Sequence, residues 1–179
     1  SRKTEISRHM PIIREALDLL SSTTRLTAIF VQPNELHVNL INKYLVGAKF
    51  DFIFSSERLK SFAVSDLALA KSGTNTMEIA ASGTPMLTYL IIKTCIKIKY
   101  VNIINIISNK EVIPEYIQSD FTAENIANAL NALISDPNKA NLQTVNTKEI
   151  LKIIGLNNKR PPSSKAAEII SSMLLKLEN

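Results

Sequence analysis

Short apolar runs alternate with segments of helical period along the first half of this chain, and only a few residues separate them. The runs are "LTAIFVQ" (26–32), "FDFIFSS" (50–56), "DLALA" (66–70) and a fourth that follows Gly83-Thr84-Pro85. Between them lie "PIIREALDLLSS" (11–22), "NELHVNLINKYLVG" (34–47), "SERLKSFAVS" (56–65) and "TNTMEIAAS" (74–82). Strands that must be rejoined through a helix pair in parallel, so the pattern predicts an α/β fold, a parallel sheet flanked by helices. Sheets of this kind bind ligands beyond the carboxyl ends of their strands.

Helix signals mark the segments. Ile12, Ala16, Leu19 and Leu20 share one face, with Pro11 suited to a first-turn position; Leu36, Leu40, Ile41 and Tyr44 repeat at helical spacing before Gly47. "FTAENIANALNALISDP" (121–137) reads as a helix with Thr122 as N-cap and Asp136-Pro137 as its stop. "RPPSSKAAEIISSMLLKLEN" (160–179) reads as a final amphipathic helix behind a Pro-Pro hinge. "TYLIIKTCIKIKYVNIINII" (88–107) supports either a helix or a strand, and the expectation is helix first, strand later.

At 179 residues the chain suits one well-buried core, and 45% hydrophobic with 21% charged residues is the composition of a globular protein. A net charge of +5 favours anionic partners without choosing among nucleotides, phosphates, nucleic acid and acidic membranes. Scattered basic residues and the lack of a recognised module rank nucleic acid last. The single cysteine, Cys95, cannot form an internal disulfide and reads as a small core hydrophobe. With His9 and His37 it has no metal-ligand spacing, so neither a metal nor a cofactor is expected. The absence of a signal core or an 18-residue apolar run leads to the expectation of a cytoplasmic domain. His9 is expected to be exposed or capping.

The chemistry concentrates in "KSGTNTMEIAASGTP" (71–85), in a chain with only four glycines. Placed between the third strand and a helix, its amides would line a helix N-terminus, where anions bind. Gly73 would allow close backbone approach, Ser72, Thr74 and Thr76 add hydroxyls, and Glu78 could accept from a pair of sugar hydroxyls one turn into the helix. The alternative is that Ser72 or Thr74 merely caps the helix and Glu78 is solvated. The stretch is neither a P-loop nor a G-x-G-x-x-G fingerprint.

These residues also carry a resemblance. "LAKSGTNTMEIAASGTPM" is similar to the donor-site segment S-G-T-x-T-x-E…G-x-P-M of lipid-A-disaccharide synthases, which are inverting GT-B glycosyltransferases. "YVNIINIISNKEVIPEYIQSDFTAENIANAL" resembles a second segment of that family, and "SRKTEISRHMP" the latter part of its P-G-S-R-x-x-E-I-x-R-H-x-P segment. Similarity extends over nearly the whole chain, with the motifs in the family's order.

The resemblance implies the C-terminal, Rossmann-like half of such an enzyme: residues 1–160 as the UDP-sugar (donor) domain and 161–179 as a helix that crosses to the N-terminal half. It implies transfer of 2,3-diacylglucosamine from UDP to 2,3-diacylglucosamine 1-phosphate, with UDP released. Ser72, Gly73 and Thr74 then match the diphosphate loop, Glu78 the ribose carboxylate, and Asn105 and Glu111 further donor-side positions. Arg2 matches an arginine that would offset charge on the leaving group. Glu115 and Gln118 also fall on family positions, Glu115 at what reads as a helix start.

Implied partners are the UDP-sugar, an acylated glucosamine phosphate acceptor, the other half of the enzyme or a second copy, and an anionic inner-membrane surface met peripherally. Lys93, Lys97 and Lys99 beside Tyr89 and Tyr100 would serve that surface. The chain departs from the pattern at Ile104 (proline in the family), Asn109 (glycine) and Lys110 (arginine), and is several residues shorter between Met86 and Tyr100. Those departures keep open a non-catalytic remnant, and another GT-B UDP-sugar enzyme stands as a third reading.

Overall fold

The computed structural model describes residues 3–31, 34–91, 98–156 and 162–177. Its elements run α1 (Lys3–Ser21), β1 (Thr27–Val31), α2 (Glu35–Leu45), β2 (Asp51–Ser55), α3 (Arg58–Val64), β3 (Ala68–Lys71), α4 (Asn75–Ser82), β4 (Met86–Leu90), α5 (Ile103–Ser108), β5 (Glu115–Ile117), α6 (Ala123–Ser135), α7 (Pro137–Ile153) and α8 (Pro162–Leu177). Among the described residues all strand pairing is parallel, in two ladders: β1 with β2, and β3–β4–β5 with β4 in the middle. The alternation in the sequence thus yields the α/β architecture with helix-flanked parallel strands.

Side-chain packing rather than ladder bonds joins the two ladders. On one side α1 lays Ala16 and Leu20 against β4 and α6, where Leu87, Ile126 and Leu130 are buried. The same helix turns Ile6 and Met10 toward α2 and β2, against Ile41, Leu45 and Phe50. Val31 of β1 packs on the third cluster, in which Ala70, Ile79, Met86, Ile104 and Leu151 fill the space among β3, α4, α5 and α7. β4 is enclosed on both faces, with Met86, Leu87, Thr88 and Tyr89 all buried, as expected of the central strand of a covered sheet.

Several local expectations are corrected. Pro11 lies inside α1, not in its first turn, because the helix begins at Lys3. Burial of Ile6, His9 and Met10 holds the turns ahead of the proline, and this packing outweighs the helix hydrogen bond that its ring removes. The 88–107 segment is strand first and helix later, the reverse of the expected order, with residues 92–97 outside the described set. β4 is the strand expected after Gly83-Thr84-Pro85 and extends into this segment, and Asn102 Oδ1 caps α5 by accepting from Ile104 N. Asp136-Pro137 is a junction as well as a stop. Asp136 Oδ1 accepts from the amides of Asn138 and Lys139 at 3.1 Å, and Pro137 opens α7. Thr122 caps α6 as expected, accepting from Asn125 N.

α8 stands apart from these cores. Every described side chain from Ser163 to Leu174 is exposed, including Ile169, Ile170, Met173 and Leu174.

Candidate functional site

The loop after β3 is built by the ends of three segments. β3 runs into Ser72, whose amide extends the ladder to Tyr89 O at 2.8 Å and whose hydroxyl donates to Val101 O at 3.1 Å, just ahead of α5. Thr76 Oγ1 and Thr76 N both donate to Gly73 O, at 2.6 and 3.1 Å, and Met77 N to Thr74 O, which winds the first turn of α4. Thr74 sits at the N-cap position in helical geometry and its side chain caps nothing. The amides of Gly73, Thr74 and Asn75 therefore carry no hydrogen bond among the described residues, and all three residues are exposed. A Cβ placed on Gly73 would meet nothing within 4 Å, so the loop faces open space. This arrangement suits an anion: free amides at the positive end of an eight-residue helix.

Glu78, one turn further along, is partly exposed and ion-paired rather than fully solvated. Its Oε1 accepts from Arg58 Nη2 at 2.7 Å, and its Oε2 is buried with no partner. Lys71, the last residue of β3, is held by Glu5 of α1 at 2.7 Å. The structure thus brings Ser72, Gly73, Thr74 and Glu78 to one strand-to-helix junction.

The other expected residues are placed differently. Asn105 is fully buried and spent on the main chain and on Glu115. Its Nδ2 donates to Ile113 O (2.6 Å) and Glu115 Oε1 (2.8 Å), and its Oδ1 accepts from Val112 N (2.8 Å) and Ile113 N (2.9 Å). Glu115 opens β5 rather than a helix, but its carboxylate does serve a helix start: it accepts from Val101 N and Asn102 N at the entry to α5. Through Val101, whose carbonyl receives the Ser72 hydroxyl, this network fixes one wall of the loop. Asn102, fully buried, keeps an unpartnered Nδ2 in the same wall. Glu111 is exposed ahead of β5 and, among the described residues, accepts only from Glu115 N, at 3.4 Å. Arg2, Lys93, Cys95 and Lys97 lie outside the described residues, while Lys99 lies over the Tyr100 ring at 5.0 Å.

His9 is buried, contrary to the exposed role expected of it. Its ring meets Tyr89 edge-on at 5.1 Å and Phe121 at 5.9 Å, and those two rings stack at 4.4 Å. Burial, and then the Lys71 charge, lowers its pKa below the ordinary 6.5. Desolvation likewise raises the Tyr89 phenol strongly.

Among the described residues, surface concavities also lie elsewhere. One, about 310 Å³, is lined by Pro114, Tyr116, Asn125 and Ala129, and one of about 590 Å³ by Arg25, Lys49 and Asp51. The second sits at the amino ends of β1 and β2, opposite to where parallel sheets bind ligands. Among the described residues no group of three His, Cys, Asp or Glu side chains could hold a metal ion. No described helix is long and apolar enough to cross a membrane.

With the junction in view, the comparison with known proteins is decisive. The family model described as lipid-A-disaccharide synthetase matches residues 1–170. The chain belongs to that family. Curated relatives named lipid-A-disaccharide synthase include those of Rickettsia felis and Rickettsia prowazekii, each 46% identical over 185 residues and 98% of this chain, covering 47% and 49% of the relative. The protein of that name from Rickettsia conorii is 45% identical over 169 residues, or 89% of this chain and 38% of its own length. The chain spans about half the length of the curated relatives it matches. Within the synthetase family the β3–α4 junction lies in the matched region, as do Asn105 and Glu115.

Proposed function

We propose that this chain is the donor-binding half of a lipid-A-disaccharide synthase, holding a UDP-sugar at the β3–α4 junction. The observation that carries the reading is the set of free amides at Gly73, Thr74 and Asn75, one helical turn from a carboxylate with an unused oxygen. The amides and the Thr74 hydroxyl receive the diphosphate, with Ser72 anchoring the loop. Glu78 accepts from the ribose hydroxyls.

Residues 1–160 form the donor domain in this reading, and 161–179 pass to the acceptor-binding half. In the complete enzyme the 6-hydroxyl of 2,3-diacylglucosamine 1-phosphate attacks the anomeric carbon of UDP-2,3-diacylglucosamine. The bond from that carbon to the diphosphate oxygen breaks, UDP departs, and the hydroxyl proton passes to a base in the acceptor half. Arg2 offsets the charge that builds on UDP. Asn105 acts from inside the fold, by holding the 112–115 segment that braces the loop wall, and Glu111 contributes at that segment's surface. The net charge of +5 and the Lys99–Tyr100 pair support peripheral contact with an anionic inner-membrane surface on the cytoplasmic side.

Calorimetric titration of UDP into the chain and into Glu78→Ala tests the reading. Binding that the substitution weakens ~10–100-fold, the loss of a charge-assisted hydrogen bond of ~1.5–3 kcal/mol, supports it. A folded chain that binds no UDP contradicts it.

A further inference from the structure

An ion pair between partly exposed side chains ordinarily contributes little. The Arg58–Glu78 pair departs from that case in one respect: half of its carboxylate is dry. Arg58 Nη2 reaches Oε1 at 2.7 Å, with the two side chains 35% and 33% exposed, yet Oε2 is buried without a donor. A buried anionic oxygen left without a hydrogen bond is costly, and a carboxylate has room for about four.

We propose that Arg58 is a positioning residue of the donor site: it clamps the partly exposed Glu78 by Oε1, and a pair of vicinal hydroxyls on the ligand supplies the donors that the carboxylate still lacks. This rests on the donor-site reading above and adds the residue that makes Glu78 competent.

The clamp has a fixed base. Arg58 opens α3, whose Ser61 hydroxyl donates to Glu57 O and pairs with the Ser55 hydroxyl at the end of β2, both at 2.8 Å. Phe62 O accepts from the buried Thr84 Oγ1 at 2.6 Å, which ties α3 to the segment just after α4. The guanidinium therefore approaches Glu78 from a helix tied to β2 and to the segment after α4, and reaches the carboxylate by one bond, from Nη2 to Oε1.

The test compares UDP with 2′,3′-dideoxy-UDP, which lacks both ribose hydroxyls, by calorimetry on the wild-type chain, Arg58→Ala and Arg58→Lys, with circular dichroism to establish folding. The wild-type chain prefers UDP by ~10-fold or more, as a charge-assisted hydrogen bond predicts. Arg58→Ala loses most of that preference while its affinity for the dideoxy ligand changes by less than about threefold, and Arg58→Lys, which keeps the charge but not the fork, falls between. A preference preserved in Arg58→Ala overturns the assignment alone, as does equal weakening for both ligands, which would make Arg58 a general counter-charge, or tighter UDP binding, which would make it a competitor. Equal affinity of the wild-type chain for the two ligands overturns the placement of the hydroxyls at Glu78, and the assignment with it.

Discussion

Replacing Asn105 by alanine removes a side chain that no solvent reaches and breaks four hydrogen bonds. Ile113 O loses the bond at 2.6 Å, Val112 N and Ile113 N lose theirs at 2.8 and 2.9 Å, and Glu115 loses one of the three donors on its carboxylate. An unsatisfied buried main-chain group costs about 1–3 kcal/mol. Ile113 is fully buried, whereas Val112 is partly exposed and can recover water, so two of the three main-chain losses count nearly in full. The expected destabilisation is about 3–5 kcal/mol, a large share of a typical total of about 5–15 kcal/mol. Urea unfolding followed by circular dichroism measures it. With a slope of about 1–3 kcal/mol/M, the midpoint falls by at least about 1 M. Asn105→Asp keeps both acceptor contacts but brings a second carboxylate against Glu115, and is expected to recover only part of the loss. A midpoint unchanged in Asn105→Ala, with UDP binding abolished, would refute the reasoning, because the amide would then be acting on the ligand and not on the fold.

Three further outcomes are expected. His9 has its pKa lowered by burial and by Lys71, so below pH 6.5 the unfolded chain binds more protons than the folded one. Stability is then fully present above that pH and declines as pH falls through the folded value; chemical denaturation from pH 7 to 5 should show this slope in the wild-type chain and its loss in His9→Gln, and a slope unchanged by the substitution contradicts the assignment. Gln143 of α7 clamps Met86 in the central strand, accepting from its amide at 2.7 Å and donating to its carbonyl at 3.0 Å, so Gln143→Ala should cost about 2–4 kcal/mol in thermal or urea unfolding, and a change below about 0.5 kcal/mol would count against it. The exposed apolar stretch of α8 predicts concentration-dependent association in sedimentation experiments that Ile170→Glu with Leu174→Glu abolishes, whereas a wild-type chain monomeric at high concentration contradicts this.

What the sequence made legible were features that local physics sets alone. The strands β1 to β4 and the helices between them follow from apolar runs and helical period, and Thr122 and Gly83 mark helix ends by the chemistry of caps; Gly83 adopts φ 78°, a left-handed geometry that suits glycine. The junction at 72–78 was legible because glycine, hydroxyls and a carboxylate cluster there. α7 escaped, since its buried face includes Gln143 and Thr147, which hydropathy counts as outside. β5 escaped because three residues are too few to show a period. His9 was misplaced because its surroundings, Tyr89 and Phe121, are distant in sequence. Arg58 was missed for the same reason: it lies 20 residues from Glu78, and a surface arginine at the start of a short helix carries no local signal.

The central claim is that the β3–α4 junction holds a nucleotide diphosphate, and the most direct measurement is a UDP titration followed by amide resonances of the ¹⁵N-labelled chain. The account predicts that the Gly73, Thr74 and Asn75 signals shift first and furthest, saturating together, with the Arg58 side-chain signal moving alongside them. Saturable shifts confined to the Tyr116–Ala129 concavity or to the Arg25–Lys49 surface, with the Gly73–Asn75 amides unmoved, would contradict it.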